Sequence, residues 1–252
     1  MIRKSLPFVL LAFVITVAMF SCKKPDDIPA APQAEQEYYP LVKGKWVIYD
    51  VDSTIWDDVF CVKRMYHYQV MHIVADTFTD EIGRMSYRVD TRIRKRVEDA
   101  WVAHQVFYVT NTNVTLEMVH DRQRFIKMIF PIENGDKWKG NNYILSNDPD
   151  FAFYGDWTYE YRNVGEQYNT GFKVFDKTVT VEHIDDAISD PEVFPDVYAS
   201  RTSSREVYAS GVGMIFREYF RWTYGTPGAT GGDVPTKCRK GSGVVMRAVD
   251  HN

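Results

Sequence analysis

Six histidines are the first side chains to weigh for chemistry. His67 and His72 are five residues apart, so on one strand they face opposite sides and cannot share a metal. His104, His120, His183 and His251 are isolated in sequence, although His183 and Asp185 can lie on one strand face. All are read as ordinary surface or satisfied histidines. Ser203, Ser204 and Ser242 stand outside any GxSxG elbow of an esterase. Neither GxxxxGK nor GxGxxG is present to cradle a phosphate. Glu182, Asp185, Asp186, Asp190, Glu192 and Asp196 fall within fifteen residues that contain no Lys or Arg. They read as a solvated acidic loop, with a calcium-stabilised loop as the alternative. No pair of carboxylates stands out for glycoside hydrolysis. The chain is therefore read as a non-enzyme, with no catalytic residue, metal ligand or cofactor assigned.

Recognition chemistry is better represented. Arg84, Arg88, Arg92, Arg94, Lys95 and Arg96 form a basic patch, and Arg88, Arg92, Arg94 and Arg96 are placed on one strand face. Such a stripe suits an anionic lipid, an acidic glycan or a partner protein. The plainer account is a solvent-facing strand with acidic cross-strand partners. A second cluster is aromatic: Tyr143, Phe151, Phe153, Tyr154, Trp157, Tyr159 and Tyr161 crowd a turn-rich stretch. Tyr143, Phe153, Tyr154, Trp157 and Tyr159 are the ligand-binding candidates, because rings offer large area at low entropic cost. A loop packed back over a barrel mouth explains them equally well. Cys61 and Cys238 are either paired or two separate buried thiols; Cys61 lies in an apolar strand pattern and Cys238 in a polar stretch. With no CxxC, neither a zinc ribbon nor a thioredoxin-type motif is supported.

The amino terminus speaks about location. Arg3 and Lys4 precede an apolar run from Leu6 to Phe20 that stops at Ser21-Cys22. That is a secretory signal, and it is short for a spanning helix, which needs about 20 apolar residues. Met19-Phe20-Ser21-Cys22 resembles a bacterial lipobox, which implies cleavage after residue 21 and acylation of Cys22. Several acyl chains hold a protein on a bilayer where one chain binds only marginally. Residues 22–37, with Pro25, Pro29 and Pro32, form a semi-extended tether. The formal charge of −4 includes Arg3 and Lys4, so the mature chain is more acidic and a poor general binder of nucleic acid. The expected location is the outer membrane, lipid-anchored, on the periplasmic face or the cell surface.

The elements that must position these groups are strands. Tyr87, Val89, Thr91, Ile93 and Val97 alternate with Arg88, Asp90, Arg92, Arg94 and Arg96, the pattern of a half-buried strand. Similar runs span Trp46–Val51, Val59–Ala75, Trp101–Val109, Val114–Val119, Phe125–Phe130, Phe172–Ile184, Gly213–Tyr224 and Gly243–Val249. They are rich in the β-branched and aromatic residues that fit a pleated surface. The expected fold is all-β and mainly antiparallel: eight to eleven strands in one barrel, half-barrel or sandwich, with at most one short helix, within Pro195–Val207. Residues 38–252 are read as a single domain.

Two segments carry a resemblance. Tyr38-Tyr39-Pro40-Leu41-Val42-Lys43-Gly44-Lys45-Trp46-Val47-Ile48-Tyr49 resembles the "YFPL-x-x-G-x-x-W-x-Y" opening of a large group of uncharacterised Bacteroidota lipoproteins, with one residue fewer between Gly44 and Trp46. Glu206-Val207-Tyr208-Ala209-Ser210-Gly211-Val212-Gly213-Met214-Ile215 is similar to the group's "E-x-YA-x-GVG" segment, and the closing strand Gly243–Asn252 also looks familiar. The resemblance implies a β-rich extracytoplasmic domain with no assigned activity. The expected function is a lipid-anchored envelope protein that binds an apolar or glycan ligand, or else serves as a protein-interaction module of an envelope assembly, with an envelope-polymer enzyme as the third reading.

Overall fold

The computed structural model describes residues 36–225 and 238–252. The signal segment 1–21, Cys22 and the tether as far as residue 35 lie outside the described residues, as does the turn cluster after Gly225.

Among the described residues the chain forms twelve strands: β1 (Trp46–Asp57), β2 (Val62–Thr79), β3 (Met85–Arg94), β4 (Val102–Asn111), β5 (Thr115–His120), β6 (Gln123–Ile129), β7 (Lys137–Trp138), β8 (Tyr159–Asn169), β9 (Val174–Ile188), β10 (Ala199–Ala209), β11 (Gly213–Tyr224) and β12 (Arg239–His251). Every neighbouring pair is antiparallel. The sheet order is β6-β5-β4-β3-β2-β1-β12-β11-β10-β9-β8-β7. Its two edges, β6 and β7, are consecutive in the chain, so closing the sheet gives an up-and-down barrel in chain order.

The seam is held by a few bonds in place of a full ladder. Ile126 N donates to Gly140 O at 2.7 Å, and Trp138 Nε1 donates to Ile126 O at 2.8 Å. Tyr161 Oη donates to Ile129 O at 2.7 Å, and Ile129 N donates back to the same hydroxyl at 2.9 Å. The result is a nearly closed barrel, which excludes the sandwich. Close packing at the seam requires Gly140. A Cβ there would sit 2.4–2.5 Å from three atoms of the Tyr159 ring. That ring is buried, with its hydroxyl donating to Asn141 Oδ1 at 2.9 Å, so it has nowhere to retreat. Gly140→Ala is expected to lower stability by about 1–3 kcal/mol. An unchanged urea midpoint would show that the ring yields freely.

The twelve strands exceed the eight to eleven expected, and the sequence reading also fails at one element. Where a short helix was expected in Pro195–Val207, β10 runs instead, paired with β9 on one side and β11 on the other. Ser200, Ser203 and Ser204 favour no helix interior, and ladders on both flanks decide the conformation.

One end of the barrel is floored by the segment leading into β1. Tyr38, Tyr39 and Leu41 pack against the core. Gly211 N donates to Glu37 O at 2.9 Å, and the Tyr39 and Tyr208 rings are 6.0 Å apart. The two segments that carry the resemblance therefore dock on each other. Gly211 and Gly213, at φ +77° and +106°, make the β10–β11 turn against which the floor segment rests.

Cys61 lies in the β1–β2 turn, at φ +54°, and not within a strand as its apolar neighbours suggested. It is disulfide-bonded to Cys238, just before β12, with Cα atoms 5.3 Å apart. The bond crosses a sequence separation of 177 residues. In the entropic account such a loop restricts the unfolded chain by about 5 kcal/mol.

Candidate functional site

The interior of the barrel is built around one buried carboxylate. Glu206 lies on β10 in phase with Ser204 and Tyr208, and all three are buried. Its cationic partner comes from the far side of the seam. In the β5–β6 ladder Glu117 pairs with Ile126 and Leu116 with Met128, which leaves Lys127 as the extra residue of a β-bulge. A bulge re-aims side chains, and here Lys127 and Met128 are both buried. His183 is the extra residue of a second bulge, because Ser204 pairs with Ile184 and Arg205 with Glu182. Two of the groups around Glu206 thus reach it from ladder irregularities.

Lys127 Nζ lies 2.7 Å from Glu206 Oε2 and 2.8 Å from Oε1. Tyr208 Oη donates to Oε2 at 2.6 Å. His183 Nε2 and Arg217 Nε stand farther off, 3.5 Å from Oε2 and 3.8 Å from Oε1. His183 Nδ1 is 2.8 Å from Ser204 Oγ, and the Tyr159 ring stacks on the imidazole at 4.0 Å. A carboxylate facing Nε2 favours the tautomer with its proton on Nε2, which leaves Nδ1 to accept from Ser204.

Burial works against the Glu206 charge, but Lys127, His183 and Arg217 outweigh it and hold the carboxyl well below its usual range. Burial pulls the Lys127 amine below its ordinary value, with Glu206 opposing. The short contacts and the Tyr208 donor keep the pair ionised at neutral pH. Burial, assisted by Lys127, lowers His183 to about 4, so its ring is neutral. His72, between the rings of Tyr49 and Phe107, is lowered by burial to about 3.

Above this cluster lies a cavity of about 370 Å³. Its wall combines Tyr39, Phe107, Met118, Met214, Trp157 and Tyr159 with the Lys127, His183, Glu206 and Arg217 group. Half-exposed Tyr154 and Tyr219 stand with His120 and Asp121 towards its open side. The structure divides the aromatic candidates. Tyr154, Trp157 and Tyr159 line the cavity, with Trp157 and Tyr159 buried. Phe153 packs on Tyr154 at 4.1 Å beneath the Arg221 guanidinium, 3.9 Å above its ring. Tyr143 lies elsewhere, half-exposed in an outer groove beside Phe78 and Tyr108.

The arginine stripe is not assembled as a free basic face. β3 ends at Arg94, so Arg96 falls in the following turn, paired with Asp99 at 2.9 Å. Arg88 pairs with Asp90 at 3.0 Å. Arg94 donates to Gln69 at 2.6 Å and lies 4.3 Å over the Trp101 ring. Arg92 pairs in register with Met71 and Ala103 and is exposed. In the acidic stretch Asp185 pairs with Arg201 at 2.6 Å and Glu192 with Arg239 at 3.0 Å. Asp185 therefore points to its own partner, while His183 enters the core. Among the described residues no three His, Cys, Asp or Glu side chains are grouped to hold a metal.

Ser204, His183 and Glu206 share the connectivity of a hydrolytic triad, but the chemistry is poorly served. Ser204 lies within a doubly paired strand, not on the exposed turn that presents a nucleophile. A ring with its pKa near 4 is a weak base at neutral pH, and Glu206 is already taken by Lys127 and Tyr208. The arrangement is better suited to hydrogen bonding than to proton abstraction.

No family model matches this chain, and no curated protein does. Among solved structures, a Bacteroides fragilis protein described as exported, with a YmcC-like fold, aligns at a TM-score of 0.43 and 9% identity, over 85% of this chain and 98% of that one.

Proposed function

We propose that the protein is a lipid-anchored envelope protein whose barrel binds a small molecule without transforming it. One observation carries the reading: an aromatic- and methionine-lined cavity of about 370 Å³ that runs into a fixed polar cluster. Concave, mainly apolar sites with a few placed polar groups, in the mouths of β-barrels, are the usual form of a small-molecule site. The volume suits an apolar molecule or a short glycan fragment, not a polymer. The signal segment and the lipobox-like Met19-Phe20-Ser21-Cys22 support export and an anchor in the outer membrane, on either face. An interaction module built on the arginine stripe is the weaker reading, because Arg88 and Arg96 already have acidic partners.

The test is native mass spectrometry of residues 23–252, exported in soluble form to the periplasm of its host and recovered without detergent or solvent. The expected spectrum carries a small-molecule adduct that is lost on organic denaturation. A folded protein with the bare chain mass would count against the carrier reading.

A further inference from the structure

Among the described residues, three buried nitrogens of the cavity wall make no hydrogen bond of good geometry: Trp157 Nε1, His183 Nε2 and Arg217 Nε. They come from the segment before β8, from β9 and from β11, yet all three residues line the same cavity. Trp157 and His183 are 4% and 2% exposed, so bulk water does not serve them. Buried polar groups in native proteins are nearly always paired, and three donors left over in one cavity point to an acceptor that arrives with a ligand. At 3.5 and 3.8 Å from Glu206 the His183 and Arg217 donors are held only weakly, so a second acceptor entering the cavity can share them.

Charge narrows the ligand class. Lys127 and Arg217 bring two positive charges against the single carboxylate of Glu206, and His183 and His72 are neutral. The remaining charged or titratable groups facing the cavity, beyond its tyrosines, are His104, His120 and Asp121 on the open side. Asp121 is largely exposed there, 3.3 Å from His120. Apart from Asp121 at the rim, the described cavity wall therefore carries one positive charge in excess, beside rings and methionines, with the Arg217 side chain itself 42% exposed. Arg and N–H donors together suit a carboxylate, whose two oxygens accept several bonds at once.

We propose that the cavity takes a small monocarboxylate with an apolar body, its carboxylate received by Trp157 Nε1, His183 Nε2 and Arg217 and its body by Phe107, Met118 and Met214. This rests on the reading of the cavity as a ligand site.

Calorimetry on the mature, solvent-stripped and refolded protein with decanoate, decanol and decylammonium separates the two claims. Decanoate is expected to bind at least tenfold tighter than decanol, and decylammonium not at all. Trp157→Phe keeps the ring packing and removes one donor; it should weaken decanoate about tenfold and decanol severalfold less. Arg217→Gln should act in the same direction. Equal binding of decanoate and decanol, or wild-type decanoate affinity in both variants, overturns the carboxylate assignment and leaves the cavity reading standing. No binding of any of the three probes, with near-UV circular dichroism intact, overturns the carboxylate assignment and the apolar-ligand form of the cavity reading together.

Discussion

Lys127→Met is expected to cost about 3–5 kcal/mol at pH 7, although methionine fills much the same volume. The reason is what it leaves behind. Glu206 is 2% exposed and holds its charge largely because Lys127 Nζ lies 2.7 Å away. Tyr208 remains as a donor, but Arg217 Nε at 3.8 Å and His183 Nε2 at 3.5 Å are too distant to replace an ammonium. An uncompensated buried carboxylate either stays charged at high cost or takes up a proton. The variant should therefore recover part of its loss as pH falls below the range where Glu206 protonates. Glu206→Gln strands Lys127 in the same way. The double variant Lys127→Met/Glu206→Gln removes both charges and should lose well under the sum of the singles, with a coupling of at least about 2 kcal/mol. Urea unfolding of the four proteins decides the matter, and strictly additive losses would show that the pair is not a unit.

That cluster was hidden in the sequence for identifiable reasons. The ladder around Tyr87–Arg94 was legible because its alternation is unbroken for most of its length. Across Phe125–Ile129 strict alternation groups Ile126 with Met128 and Phe125 with Lys127, which assigns the apolar pair to the core and Lys127 to solvent. A single extra residue brings Lys127 and Met128 inward together. His183 did carry a signal, since it continues the phase of the fully buried Val179 and Val181. Glu206 carried one too, in phase with Ser204 and Tyr208, but it falls inside Pro195–Val207, where a short helix is expected from sequence, and the strand phase is lost there. Of the ligand-binding candidates in the aromatic crowd at 143–161, Tyr154, Trp157 and Tyr159 line the cavity and Tyr143 does not, a division that composition alone could not make. Meetings across the barrel seam, such as Lys127 with Glu206 at a separation of 79 residues, have no local trace at all.

Acid should unfold this protein earlier than its surface carboxylates would. Burial lowers His72 to about 3 and His183 to about 4, whereas in the unfolded chain both titrate near 6.5. The folded state thus refuses a proton that the unfolded state accepts. Stability is fully present above about pH 6.5 and falls as pH drops towards the folded values. Each unit of lowering is worth about 1.4 kcal/mol, so the two rings together withdraw on the order of 5 kcal/mol between pH 6.5 and 4.5. His120 and His251 are lowered as well and act in the same direction from less buried positions. Glu206, whose carboxyl is held below its ordinary value, contributes stability present above about pH 4.5 and lost only below it, so the two effects occupy separate windows. His72→Phe isolates the first, because its ring already sits between Tyr49 and Phe107 at 4.9 and 5.2 Å and a phenyl group takes no proton. Urea unfolding from pH 7.5 to 4.5 should show the steep decline in the wild type and about half of it in His72→Phe. A wild-type curve flat across that interval would mean that both rings can be protonated inside the folded barrel, which would require water to reach them through the cavity.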